Sequence, residues 1–172
     1  MLTITLDTGT LSLVDALATI NGLELAVDVA TTTVTAREVE GTAWASKAAQ
    51  LRVIPEVMVL GRSPLGVAVL GSEADKFYYE GLLTLLSGGG FPKPGKRDAL
   101  TDGYKHLQHD AMILAAHARE GRDIFVSNDT KAIGRPGEPL RERLHQEFGI
   151  RAMTLAEFTD HCATLRAHKP TA

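Results

Sequence analysis

With a single cysteine, Cys162, the chain cannot form an internal disulfide, and without CxxC spacing that thiol marks neither a zinc site nor a redox pair. A reducing compartment is expected. Long apolar runs are missing as well, none approaching the roughly 20 residues of a bilayer-crossing helix. Residues 1–13 lack the basic start of a secretory signal and carry Asp7. These absences lead us to expect a cytoplasmic protein with no membrane partner. Nor is there an excess of positive charge. The formal net charge is -3, so the whole molecule does not attract polyanions, and any nucleic-acid function needs a local basic patch or bound cations.

What is present is a globular composition. The chain is 44% hydrophobic and 23% charged, which argues against a disordered tail, a collagen-like repeat or a coiled coil. A length of 172 residues suits one domain, able to withdraw roughly 70% of its unfolded surface from water.

Residues 2–6 alternate apolar and polar as a strand does and stop at Asp7-Thr8-Gly9. Residues 10–20, with Leu11, Val14, Leu17 and Ala18 at helical spacing, predict a helix, and residues 23–30 a second strand. A helix is expected over 35–49, then extended structure over 53–60 and 67–70, interrupted by Pro55 and Pro64. Residues 73–86 read as an amphipathic helix, and Gly88-Gly89-Gly90 with Pro92, Pro94 and Gly95 as a mobile connection. Further on, helices are expected over 102–120, 141–148 and 155–166, and strands over 123–126 and 150–153. Such alternation predicts an α/β fold, a three-layer α/β/α arrangement with a mainly parallel central sheet.

In open parallel sheets the ligand crevice lies beyond the carboxyl ends of the strands, where Asp7 and Asp129 are both expected. Asp110 precedes the apolar run 111–118 and is expected near the crevice end of its helix; Glu38 is placed in the first turn of the second helix. Four carboxylates from four segments could then converge. Two of them about 4 Å apart repel by roughly 4 kcal/mol at an effective dielectric near 20, so protons or cations must fill such a cluster. Oxygen-only ligation suits Mg²⁺ or Mn²⁺, which support in-line attack on a phosphodiester.

Four segments together resemble the PIN domain of metal-dependent ribonucleases, common as toxins of bacterial toxin-antitoxin pairs. They are Ile4-Thr5-Leu6-Asp7-Thr8, Val34-Thr35-Ala36-Arg37-Glu38, the run from Asp110 to Ala118, and Ile124-Phe125-Val126-Ser127-Asn128-Asp129. The resemblance covers the whole chain as a single PIN-like domain, 1–172, with an extended middle segment near 55–95. It implies an endoribonuclease in which Asp7, Glu38, Asp110 and Asp129 hold one or two Mg²⁺ or Mn²⁺ ions and Ser127 supports them by hydrogen bonding. RNA is the implied substrate and an antitoxin protein the implied partner; pairing into a homodimer is left open. Lys93, Lys96, Arg97 and Lys105 lie just before Asp110 in sequence, where they could grip phosphates or be solvated surface charge.

Each site residue also has a plainer reading. Asp7-Thr8-Gly9 could be a helix cap, or the loop of an aspartic protease, which is an all-β enzyme. Thr35-x-x-Glu38 is also a capping box. Glu40 competes with Glu38, although two helical residues turn it about 200° away. Asp129 sits among turn formers, and Asp102, His106 and Asp110 share a helix face as a solvated pairing or, in the sharper reading, with His106 as proton carrier. Trp44 is read as packing ahead of base stacking, and Met112 and Phe125 as core. A non-catalytic interaction module on the same fold is the alternative function. A phosphatase with Asp7 as nucleophile lacks its second aspartate, Gly9 standing there instead.

Overall fold

A computed structural model describes residues 1–168 apart from Val14 and residues 60–62, 64, 65 and 67. Its centre is a five-stranded sheet in the order β3-β2-β1-β4-β5, every pair parallel. The strands are β1 (Leu2–Leu6), β2 (Val27–Thr32), β3 (Arg52–Ile54), β4 (Ile124–Val126) and β5 (Ala152–Met153). The chain winds outward from β1 through β2 to β3, then restarts beside β1 with β4 and continues to β5. The switch point therefore lies between β1 and β4, where such sheets open a crevice at their carboxyl edge.

Nine helices are described: α1 (Thr8–Leu11), α2 (Ala16–Asn21), α3 (Thr33–Glu38), α4 (Ala45–Ala48), α5 (Glu73–Leu86), α6 (Asp102–Arg119), α7 (Thr130–Ile133), α8 (Pro139–Phe148) and α9 (Leu155–Ala167). Strand alternation divides the core into two layers. Ile4, Leu6, Ile124 and Val126 join Leu11, Ile20, Phe158 and Cys162 on one face, while Phe125 joins Leu83, Met112, Leu114 and Phe148 on the other. Both faces are covered, giving the expected three-layer α/β/α fold. Among the described residues no helix is long and apolar enough to cross a membrane.

The long helices and β1 match their expected bounds closely, but the other segments before residue 60 do not. The helix expected over 10–20 is broken between α1 and α2, where the Ser12 hydroxyl donates back to the Gly9 carbonyl at 2.8 Å; Val14 lies outside the described residues. The strand expected over 23–30 begins only at Val27, after a turn in which Glu24 takes a positive φ of 52°. The helix expected over 35–49 is split into α3 and α4 by a turn through Gly41 at φ 74° and the Thr42 hydroxyl on the Val39 carbonyl, 2.6 Å. Among the described residues of the middle segment only Arg52–Ile54 forms a strand, with one parallel bridge from Val57 to Val69. The expectations at Leu60, Pro64 and Val67 lie outside the described residues.

The α6 helix sets the height of the site. Its 18 residues span about 27 Å, whereas the three of β4 span about 10 Å, so its first half projects past the sheet edge. Asp110 is thus in mid-helix, not at its end as expected. Two turns below, on the same face, His117 Nδ1 meets Thr5 Oγ1 at 2.9 Å beneath the sheet edge. Burial, followed by the nearby Arg122 charge, pushes the His117 imidazole down to about 3 from 6.5. A depressed histidine contributes stability above its unfolded value that is lost as pH falls toward its folded value. Between pH 6.5 and 5 the wild type should lose about 2 kcal/mol more than His117→Gln, which keeps a donor for Thr5 but does not titrate. Urea unfolding at the two pH values measures the difference; parallel curves would refute it.

Candidate metal centre

Parallel pairing of β1 with β4 aligns Leu6 with Val126, which places the next residues, Asp7 and Ser127, side by side above the sheet. The Asp7 amide donates to the Val126 carbonyl at 3.1 Å. Buried Ser127 then donates from Oγ to Asp7 Oδ2 at 2.7 Å and accepts the Asp129 amide at 3.1 Å. One hydroxyl thereby joins two of the expected acids. Asp7 Oδ1 takes the Thr8 amide at 2.7 Å as the N-cap of α1, so its cap reading and its site placement coexist. The surrounding fold is α/β, which removes the aspartic-protease reading of Asp7-Thr8-Gly9.

Glu38 is reached differently from the expectation. Thr32, not Thr35, caps α3 by accepting the Thr35 amide, so the Thr35-x-x-Glu38 capping box does not form and Glu38 is the last residue of the helix. The reason is that helix α3 starts directly from the end of β2, two residues earlier than the expected start. Its position is secured by Arg37, which pairs with fully buried Glu56 at 3.0 Å, while the Thr33 hydroxyl donates to the same carboxylate at 3.2 Å. From there Glu38 accepts from the Thr8 hydroxyl and from His109 Nδ1, the latter at 2.8 Å. Glu40 is exposed.

Asp7 and Asp110 line one narrow crevice with Ile113, Leu114, Phe125 and Ala132. Apolar walls on one side and acids on the other explain the electrostatics. Burial, then repulsion from Asp7, Asp129 and Glu38, pushes the Asp110 carboxyl up to about 7, partly countered by His109. Asp7 is also raised, by burial and by Glu38 and Asp129 against the lowering hydrogen bonds from Ser127 and Thr8. Burial works to raise Glu38 as well, but its hydrogen bonds from His109 and Thr8 win and hold it below the usual carboxylate range. The other three acids thus all act electrostatically on Asp110.

Asp129 is exposed and its Oδ1 caps α7 through the Lys131 amide at 2.8 Å. Among the described residues no three His, Cys, Asp or Glu side chains are placed to grip one ion together. The donor set fits a hard divalent cation in chemistry and in its unbalanced negative charge.

The basic residues do not form a free patch. Arg97 is held by both oxygens of Glu80 at 2.7 Å and stacks over Phe91, its centre 5.1 Å from the ring, and Lys105 pairs with Asp102 at 2.8 Å. Lys93 and Lys96 are exposed on the connection before α6. Trp44 packs against the apolar layer beneath Lys47, 4.6 Å from its ring centre, and Met112 and Phe125 are buried. His106 is exposed. The residues that sequence reasoning passed over are Thr8 and His109, both touching Glu38, and the Arg37–Glu56 pair behind it. Nothing in their spacing signals those contacts, since Glu38 and His109 are 71 positions apart. No protein-family model matches this chain, and no curated protein matches it.

Proposed function

We propose that this protein is a metal-dependent endoribonuclease that hydrolyses RNA phosphodiester bonds, with Asp7, Asp110, Asp129 and Glu38 holding Mg²⁺ or Mn²⁺. The observation that carries the reading is Asp110, a carboxyl held near neutral pH by burial and by three other acids at the sheet's switch point. Near neutral pH it ionises fully only beside compensating positive charge, and oxygen donors select a hard cation. The order Asp7, Glu38, Asp110, Asp129 and its resemblance to PIN domains support the same assignment.

When bound, the ion would supply Lewis acidity at the scissile phosphate and lower the pKa of water. The chain supplies the rest. Ser127 and the Thr8 amide hold both oxygens of Asp7, fixing its direction, and Ser127 relays that order to Asp129. One carboxylate of the set would orient or deprotonate the attacking water.

The test is cleavage of labelled single-stranded RNA with Mg²⁺, with Mn²⁺ and with chelator. Cleavage should need either ion, vanish on chelation and return on readdition. Cleavage that survives chelation would refute the metal role. RNA binding without cleavage under every condition would instead favour a non-catalytic module, the reading supported by the absence of three acids around one point among the described residues.

A further inference from the structure

The pairing of Glu38 with His109 is created by the packing of α3 against α6. His109 Nδ1 donates to Glu38 Oε1 at 2.8 Å, and the Thr8 hydroxyl donates to Oε2. Each carboxylate oxygen thus has one protein donor and keeps a second lone pair. The two donors also neighbour two of the other acids, since Thr8 follows Asp7 and His109 precedes Asp110. Glu38 itself ends a six-residue helix and its side chain is 28% exposed, so its own helix does little to choose among its rotamers.

We infer that His109 is a positioning residue of the acidic site, one that orients Glu38 toward the divalent ion and so sets ion affinity without touching the ion itself. The inference rests on the proposed metal site and adds a residue outside the carboxylate set. Hydrogen-bond donors behind ligating carboxylates have this effect in general, and their removal costs metal affinity because the ligand must then be ordered on binding. His109 is suited to the task. Its ring is rigid, it is presented by an 18-residue helix, and 38% exposure leaves it removable without opening the core.

The experiment is calorimetric titration of the full chain with Mn²⁺, with circular dichroism confirming the fold of each variant. His109→Leu should raise the Mn²⁺ dissociation constant 10- to 100-fold, whereas His109→Asn, whose amide nitrogen stands near the position of Nδ1, should stay within about threefold. In a Glu38→Gln background, His109→Leu should add nothing further. If His109→Leu does not fold, His109→Ala takes its place with the same expectations. An unchanged constant in the donor-lacking variant, or equal losses in it and His109→Asn, would overturn the inference and leave the metal site standing. A wild-type protein that binds no Mn²⁺ would overturn both.

Discussion

Asp110→Asn is expected to stabilise the metal-free protein at pH 8 while removing its response to divalent ions. The folded carboxyl titrates near 7 and the unfolded one near 3.8, so the folded state binds the extra proton between those values. The stability contributed by a raised group is fully present below its unfolded value and lost as pH rises through its folded value. Above pH 7 the ionised Asp110 therefore costs the metal-free wild type up to about 4 kcal/mol, of which about half should remain after side chains and solvent relax. Asparagine has the same shape and no charge. The variant should match wild type near pH 4 and exceed it by about 2 kcal/mol at pH 8.

Saturating Mn²⁺ should reverse that ranking, because an ion at 100 times its dissociation constant adds about 2.7 kcal/mol to a protein that binds it and nothing to one that does not. RNA cleavage should fall by about a thousandfold in the variant, equivalent to about 4 kcal/mol of barrier. Chemical unfolding of both proteins at pH 4 and 8, with and without Mn²⁺, reads the stability of each under all four conditions. A variant less stable than wild type at pH 8 without metal would show that Asp110 is not under electrostatic strain.

Arg122→Met should destabilise the fold by about 3 kcal/mol. Arg122 follows α6, and its guanidinium is almost fully buried across the first two strands. Its Nε and Nη2 donate to the Ile4 carbonyl at 3.1 and 2.8 Å, Nη2 also to the Asp28 carbonyl at 2.6 Å, and Nη1 to the Asp28 carboxylate at 2.8 Å. Methionine fills much of the volume but leaves two carbonyls and a carboxylate without these donors. Because this staple grips β1 at Ile4, three residues before Asp7, loss of stability should come without change in Mn²⁺ affinity once the protein is folded. Guanidinium unfolding measures the first and calorimetric titration the second; a loss below about 1 kcal/mol would mean water replaces the staple.

These two residues differ in how visible their roles are in the sequence. Asp110 stands out because an acid directly before a dense apolar helical run demands an explanation. Arg122, between Gly121 and the strand, looks like an ordinary surface residue following a helix stop. The helices α5, α6, α8 and α9 were legible to within a few residues because each carries enough turns for apolar periodicity to show. The short helices α1 to α4 were not, since four to six residues give little periodicity, and side-chain bonds from Ser12, Thr32 and Thr42 decide where they stop and start. The expected basic patch shows the same limit: Arg97 reads as free charge until α5 supplies Glu80.

Sequence alone determined the layer architecture and the positions of Asp7 and Asp129 beyond strand ends, because hydrophobic period and turn chemistry act between near neighbours along the chain. The tertiary structure decided the strand order that puts β1 beside β4, and with it the Ser127 bridge between two acids. It alone also decided that Glu38 would rest between Thr8 and His109 and that Arg122 would lie across β1 and β2. Contacts of that kind join residues tens of positions apart, and their strength depends on burial and on the angle between two groups, neither of which local spacing records.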